Sequence, residues 1–268
     1  MDQNHSEPLA VAVIACAVLD DEVRHYRQAL PHVCRIEMLP QGLHNDPPEL
    51  NRQLKALLAS LEADPAVQQV VLAYGICSRG TEGLSPQRCT LVIPRAHDCI
   101  TILLGSKERY DRYVRRNPGT YWYSPGWNKH HVPPGQQRYD TLFRKYEEQY
   151  GRDNAEYLME TEQQWFKTYN RATYVHLSVA KTAQDVAYTR ACATWLNWQY
   201  DEQEGDPDLL VSLLAGRWDE QRFCVVRPGQ QVALVADDRV IEAVPCGARA
   251  VPPAERPVQV SNREPRHG

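Results

Sequence analysis

With 268 residues, 43% of them apolar and 24% charged, the chain carries enough apolar surface for one large core and lacks the bias of a disordered or fibrous protein. A net charge of −4 supplies no basic field, so neither nucleic acid nor an anionic membrane is expected as a partner. The first apolar run, Leu9 to Leu19, is too short and too acidic at its flanks for a signal peptide or a membrane span, which predicts a cytoplasmic protein whose eight cysteines are reduced thiols.

Residues 1–8 are expected to be disordered, ahead of a single α/β domain over 9–250. Leu9 to Cys16 is nearly all apolar and rich in branched residues, the pattern of a parallel strand buried on both faces. Asp20 to Leu30 reads as helix and Arg35 to Leu39 as a second strand closed by Pro40. Leucines at 50, 54, 57, 58 and 61 then mark one face of an amphipathic helix that Asp64-Pro65 stops. Gln69 to Tyr74 forms a third predicted strand, running into the loop Gly75 to Gly83. Thr90 to Ile93 forms a fourth, handing over through Arg95-Ala-His-Asp-Cys99 to a helix at 100–104.

From about 106 to 170 the chain reads as a helical and aromatic insertion. Tyr121-Trp-Tyr123, Pro125-Gly-Trp127 and His130-His131 fall in a turn-rich connection, followed by helices at 140–150 and 154–169. A short strand at 173–177, a helix at 184–200 and strands at 223–226 and 232–235 complete the domain, and the Pro-, Arg- and Glu-rich tail over 251–268 is expected to be disordered. Strands alternating with helices predict a mostly parallel, doubly wound, Rossmann-like sheet whose ligands sit beyond the carboxyl ends of the strands.

Cys16, Cys77 and Cys99 all fall on that edge, each where a predicted strand gives way to a loop. A parallel sheet gathers its carboxyl ends, so three thiols distant in sequence can meet. Three thiolates leave one tetrahedral position open, the arrangement of a catalytic zinc, with substrate, water or His97 in the fourth place. A 4Fe-4S cluster with one exposed iron is the alternative. The helix start at Cys99 is expected to lower that thiol's pKa. Buried reduced cysteines also serve as small hydrophobes, and Cys16 suits that role.

His97 is the candidate fourth ligand or proton carrier, and Asp98 the group that orients a neighbour. Arg79 and Arg95, on the cysteine-bearing loops, are candidates for binding an anionic substrate, against the alternative of surface ion pairs. Trp122 and Trp127 could close over a ligand, although aromatics at this density also pack long loops. The Gly75–Gly83 loop has neither GxGxxG nor a GK[ST] ending, so a nucleotide cradle is poorly supported.

Tyr74-Gly-Ile-Cys77, Ile93-Pro-Arg-Ala-His-Asp-Cys99, Leu104-Gly-Ser-Lys-Glu-Arg-Tyr110, Pro118-Gly-Thr-Tyr-Trp122, Pro125-Gly-Trp127 and Leu213-Leu-Ala-Gly-Arg-Trp218 together resemble the DUF1638 family over roughly 11–228. The family has no settled activity. Its members are often encoded beside corrinoid-dependent methyltransferases, so the resemblance implies a place in one-carbon metabolism, with a small-molecule substrate or a corrinoid protein as partner. Where that family commonly has glycine after the first and the YGxC cysteines, this chain has Ala17 and Ser78. The leading expectation is therefore a metal-binding protein, zinc or iron–sulfur, serving methyl-group chemistry. Two others stand beside it: an accessory protein for a corrinoid methyltransferase, docking through Tyr121 to Trp127, and a redox thiol protein.

Overall fold

β1 (Val11–Cys16) is buried along its whole length, as its unbroken apolar run requires, and it lies inside a five-stranded sheet. Successive residues serve opposite faces. Val11, Val13 and Ala15 join one apolar cluster, while Ala12, Ile14 and Cys16 join the other. The computed structural model describes residues 10–248, and the expectations for residues 1–8 and for the tail from 251 lie outside the described residues.

On either side of β1 run β2 (Val33–Leu39) and β3 (Gln69–Ala73), both parallel to it, with β4 (Thr90–Pro94) parallel to β3. β8 (Phe223–Val226) closes the far edge antiparallel to β4, so the sheet runs β2-β1-β3-β4-β8. α1 (Asp20–Arg27) connects β1 to β2, and α2 (Pro47–Glu62) connects β2 to β3. The start of α2 is written in the sequence: Asp46 accepts from the Glu49 N–H at 3.2 Å, and Pro47 and Pro48 occupy the first turn, where no N–H is needed. Leu50, Leu54, Leu58 and Leu61 are the buried stripe that α2 lays on the sheet.

The remainder corrects the predicted outline. Thr120–Tyr123, expected as part of a turn-rich connection, is β5, and Gln199–Glu204, whose start was expected to end a helix, is β7. With β6 (Arg171–His176) between them they form a second, entirely parallel sheet, β5-β6-β7. Between the cysteine loops and β5 lie α3 (Cys99–Leu104) and α4 (Lys107–Arg116). After β5 come α5 (Pro125–His130), α6 (Gln136–Tyr150) and α7 (Arg152–Glu162). α8 (Ala183–Leu196) and α9 (Asp208–Leu214) flank β7. A hairpin of β9 (Gln230–Leu234) and β10 (Ile241–Pro245) follows β8.

Trp122 and Val175 turn one face of the second sheet into the cluster shared with α3 and α9, while Tyr121, Tyr123 and Tyr174 turn the other toward Cys192 and Ala193 of α8. The molecule is thus a mixed α/β protein with a mostly parallel central sheet and added helices. Among the described residues no helix is long and apolar enough to cross a membrane.

Candidate functional site

Two backbone hydrogen bonds bring the loops after β3 and β4 together: Ile76 N–H to the Ala96 carbonyl at 3.0 Å and Cys77 N–H to the His97 carbonyl at 3.3 Å. Gly75 permits the approach, since a Cβ there would lie 2.4 Å from the Asp98 nitrogen. Cys77 pays for its position with a left-handed backbone, φ +40°, a conformation that non-glycine residues adopt rarely and usually where the surroundings enforce it. Arg79, at φ +80°, is held likewise.

Cys99 opens α3. Asp98 caps that helix, accepting from the Thr101 N–H at 2.9 Å and the Thr101 hydroxyl at 3.0 Å. Cys16 leads from β1 into a 3-10 turn, Ala17–Leu19, against which α5 packs. The contact is close enough that a Cβ on Gly126 would lie 1.9 Å from the Val18 carbonyl oxygen. The Pro125-Gly126-Trp127 motif is therefore a buttress for the loop that follows Cys16.

Cys16, Cys77 and Cys99 pack in one apolar cluster with Tyr74 and Trp127. Each thiol is pushed toward its neutral form. Burial raises Cys16 to about 11, against the pull of the Val18 N–H and the Tyr74 hydroxyl. Burial raises Cys77 further, reinforced by Cys16 and Asp98. Cys99 stands well above the usual thiol range through burial, Cys16, Asp98 and Cys77, so the expected lowering at the helix start is overturned: its own backbone N–H is outweighed by desolvation and three anionic or potentially anionic neighbours.

The three thiols thus lie within electrostatic reach of one another. Among the described residues, however, no group of three or more His, Cys, Asp or Glu side chains is spaced to hold a metal ion as it stands. Two polar groups in the same cluster carry no regular hydrogen bond. The Tyr74 hydroxyl faces Cys16 without forming a hydrogen bond of regular geometry, and the Trp127 indole N–H is buried with no acceptor.

The other predicted residues divide. Trp127 lies in the same sheet-face cluster as the thiols, with the ring of His44 at 5.3 Å and that of His131 at 4.8 Å. Trp122 does not; it is a core residue of the second sheet, beside Tyr113 at 4.8 Å. His97 is turned toward α4, with Nε2 3.9 Å from Asp111 Oδ1 and its ring 5.8 Å from that of Tyr110. Arg79 is engaged by Glu82 of its own loop in an exposed, two-pronged pair. Arg95 donates to the carbonyls of Glu220, Arg239 and Ile241, stapling β8 to the hairpin. Tyr121, Trp122, Tyr123 and Trp127 are all buried and form no docking surface.

A family model described as a protein of unknown function, DUF1638, matches residues 38–214, more than half of the chain. The chain belongs to the DUF1638 family. No curated protein and no solved structure matches it. Cys77 and Cys99 lie inside the matched span of this DUF1638 protein, together with Asp98, Gly126 and Trp127, whereas Cys16 lies before it. The two cysteine loops that the backbone ties together therefore both fall within the matched span.

Sequence reasoning missed Tyr74 and Gly126 as builders of this site. Both lie inside the motifs that carry the family resemblance, and the signal is their place: a tyrosine at a strand end beside a cysteine loop, and a glycine between Pro and Trp at a helix start.

Proposed function

We propose that this DUF1638 protein binds a thiophilic metal through Cys16, Cys77 and Cys99, with zinc as the leading candidate and a 4Fe-4S cluster as the alternative. The observation that carries the reading is a set of three thiols in one apolar cluster, each held neutral by burial, Cys77 and Cys99 also by neighbouring thiols and Asp98, with the Tyr74 hydroxyl facing Cys16. Three thiols that suppress one another's ionisation are a poor nucleophilic set, because a thiolate is the reactive form. A soft cation reverses the balance. It stabilises all three thiolates at once, and the Tyr74 hydroxyl then has anionic sulfur to face. The donor set fits the metal; the side chains must turn toward a common point to hold it.

The protein's own contributions follow from the geometry. Gly75 and the two backbone bonds set the Cys77 loop on the Cys99 loop, Asp98 fixes the helix that begins at Cys99, and Gly126 seats the turn after Cys16. A zinc held there supplies Lewis acidity, which lowers the pKa of a substrate thiol that accepts a methyl group. That use, and the small-molecule or corrinoid-protein partner that goes with it, rests on the family resemblance. The reduced thiols suit a cytoplasmic setting. The order β2-β1-β3-β4, with α2 on one face and α1 on the other, supports reading the first sheet as doubly wound, with the thiols at the edge where such sheets bind ligands.

To test this, the full chain is purified without oxygen from cells supplied with zinc and iron, and metal content and visible absorption are measured beside Cys99→Ser. Near-stoichiometric metal, lost in the variant, supports the reading. Background metal in the unaltered protein overturns it; a disulfide among the three cysteines in that same sample would favour the redox alternative.

A further inference from the structure

The edge of the first sheet away from β8 carries a cavity of which the thiol site makes no use. It measures about 390 Å³, and two elements wall it: Arg24, Arg27 and Gln28 from the end of α1, and Cys34, Arg35 and Ile36 from the edge strand β2. Arg24, Arg27 and Gln28 stand three and four residues apart, so they share one face of the helix end. Arg27 ties the two walls together, donating through Nε to the Val33 carbonyl at 3.3 Å.

Each of the three guanidinium groups is held by its Nε alone. Arg24 donates through Nε to Asp20 at 2.5 Å, and Arg35 through Nε to Glu37 at 2.6 Å. Among the described residues, no acceptor takes the Nη groups of Arg24, Arg27 or Arg35. A guanidinium fixed at Nε keeps a planar pair of Nη donors, the fork that meets two oxygens of an oxyanion at once. Three such forks from two walls exceed what one planar carboxylate can accept, whereas a phosphate monoester has three terminal oxygens and about two negative charges near pH 8. Asp20 and Glu37 each balance one cation, so the cavity keeps a positive charge in a chain whose net charge is −4.

The volume is that of a small-molecule pocket and exceeds what a bare phosphate fills. Ile36, Cys34 and the methylene stems of the arginines supply apolar wall for the rest of a ligand. We propose that α1 and β2 form a binding site for a small-molecule phosphate monoester, with Arg24, Arg27 and Arg35 on the phosphate oxygens and the body of the molecule against Ile36 and Cys34. The Cys34 thiol is exposed in that wall, donating to the Val11 carbonyl at 3.4 Å, so it reports whether the cavity is filled.

The experiment measures the rate at which iodoacetamide alkylates Cys34 in the reduced full chain at pH 8, with the exposed Cys246 as internal control. The probe is phenyl phosphate, set against benzoate and potassium chloride at equal ionic strength. A saturable, severalfold slowing at Cys34 with phenyl phosphate is expected, with Cys246 unchanged, weaker protection by benzoate and none by chloride. Arg24→Gln leaves the Arg27 to Val33 bond in place and should weaken the apparent affinity about tenfold, the loss of one charge-assisted contact. Arg24→Gln/Arg35→Gln should abolish the protection, and Cys99→Ser should retain it. No protection by phenyl phosphate, equal slowing at Cys246, or protection that the double variant keeps overturns the site. Should the double variant not fold, Arg24→Gln alone decides: an affinity equal to that of the unaltered protein overturns the site, and a weakened one supports it.

Discussion

The carboxyl edge of the first sheet and the buried polar groups away from it differ in kind. Beyond the first sheet, thiols held neutral by burial share an apolar cluster with the Tyr74 hydroxyl, which faces Cys16. Elsewhere in the molecule, the buried Glu22 carboxyl, the Asn128 amide oxygen, the Tyr174 hydroxyl and His176 Nδ1 have no hydrogen-bond partner among the described residues. The first edge is assembled by backbone, through glycine contacts and two loop-to-loop hydrogen bonds. The comparison teaches that burial, above any single neighbour, pushes both sets of groups toward the neutral form: the thiols at the first edge and the Glu22 carboxyl of α1.

The comparison breaks hardest at the glycines. Gly126→Ala sets a methyl group against the Val18 carbonyl oxygen and should cost about 3 kcal/mol or more, or abolish folding, whereas Gly42→Ala, with nothing within 4 Å, should be close to neutral. Urea denaturation of the two variants measures the contrast. A mild Gly126→Ala would show that the turn after Cys16 is not held by α5.

At Glu22 the expected effect depends on pH. The folded-state pKa of Glu22 is raised from the usual 4.5 to about 7, so its contribution is fully present below pH 4.5 and is lost as the pH rises through 7. Glu22→Gln removes that dependence. Its stability advantage over the unaltered protein should grow from near zero at pH 4.5 to about 3 kcal/mol above pH 7, as followed by denaturation across that range. A constant difference would place the carboxyl in water.

A smaller effect sharpens the first edge. Cys34 and Cys246 are exposed, whereas Cys16, Cys77 and Cys99 are held neutral by burial and by one another. Iodoacetamide at pH 7.5 should therefore label Cys34 and Cys246 first, with peptide mass mapping as the readout and the three site thiols gaining reactivity only at markedly higher pH. Smallest of all, Arg79→Ala should change stability by less than about 1 kcal/mol, because its pair with Glu82 is direct but exposed to solvent.

Much of the first edge was legible in the sequence because continuous apolar runs ending in cysteine loops name both the strand and its carboxyl end. The second sheet was not. β5 is four residues, Thr-Tyr-Trp-Tyr, between Gly119 and Pro125, so its punctuation reads as turn. β7 is Gln-Tyr-Asp-Glu-Gln-Glu on a sheet edge, with no apolar alternation to mark it. Glu22 looked like any acid at a helix start, where it is ordinarily solvated and favoured by the helix dipole; only the tertiary packing around α1 buries it. Arg79 and Arg95 were placed on the right loops, but spacing along a chain does not say where a guanidinium turns, and theirs turn to Glu82 and to carbonyls of the β8 and hairpin region.

The most direct test of the thiol centre is a zinc titration of the reduced, metal-free full chain in weak buffer at pH 7.5, with protons counted as metal binds. Because all three thiols start neutral, about three protons should leave per zinc, and about two in Cys99→Ser with weakened affinity. Zinc uptake without proton release, or no uptake, would contradict a metal centre built on Cys16, Cys77 and Cys99.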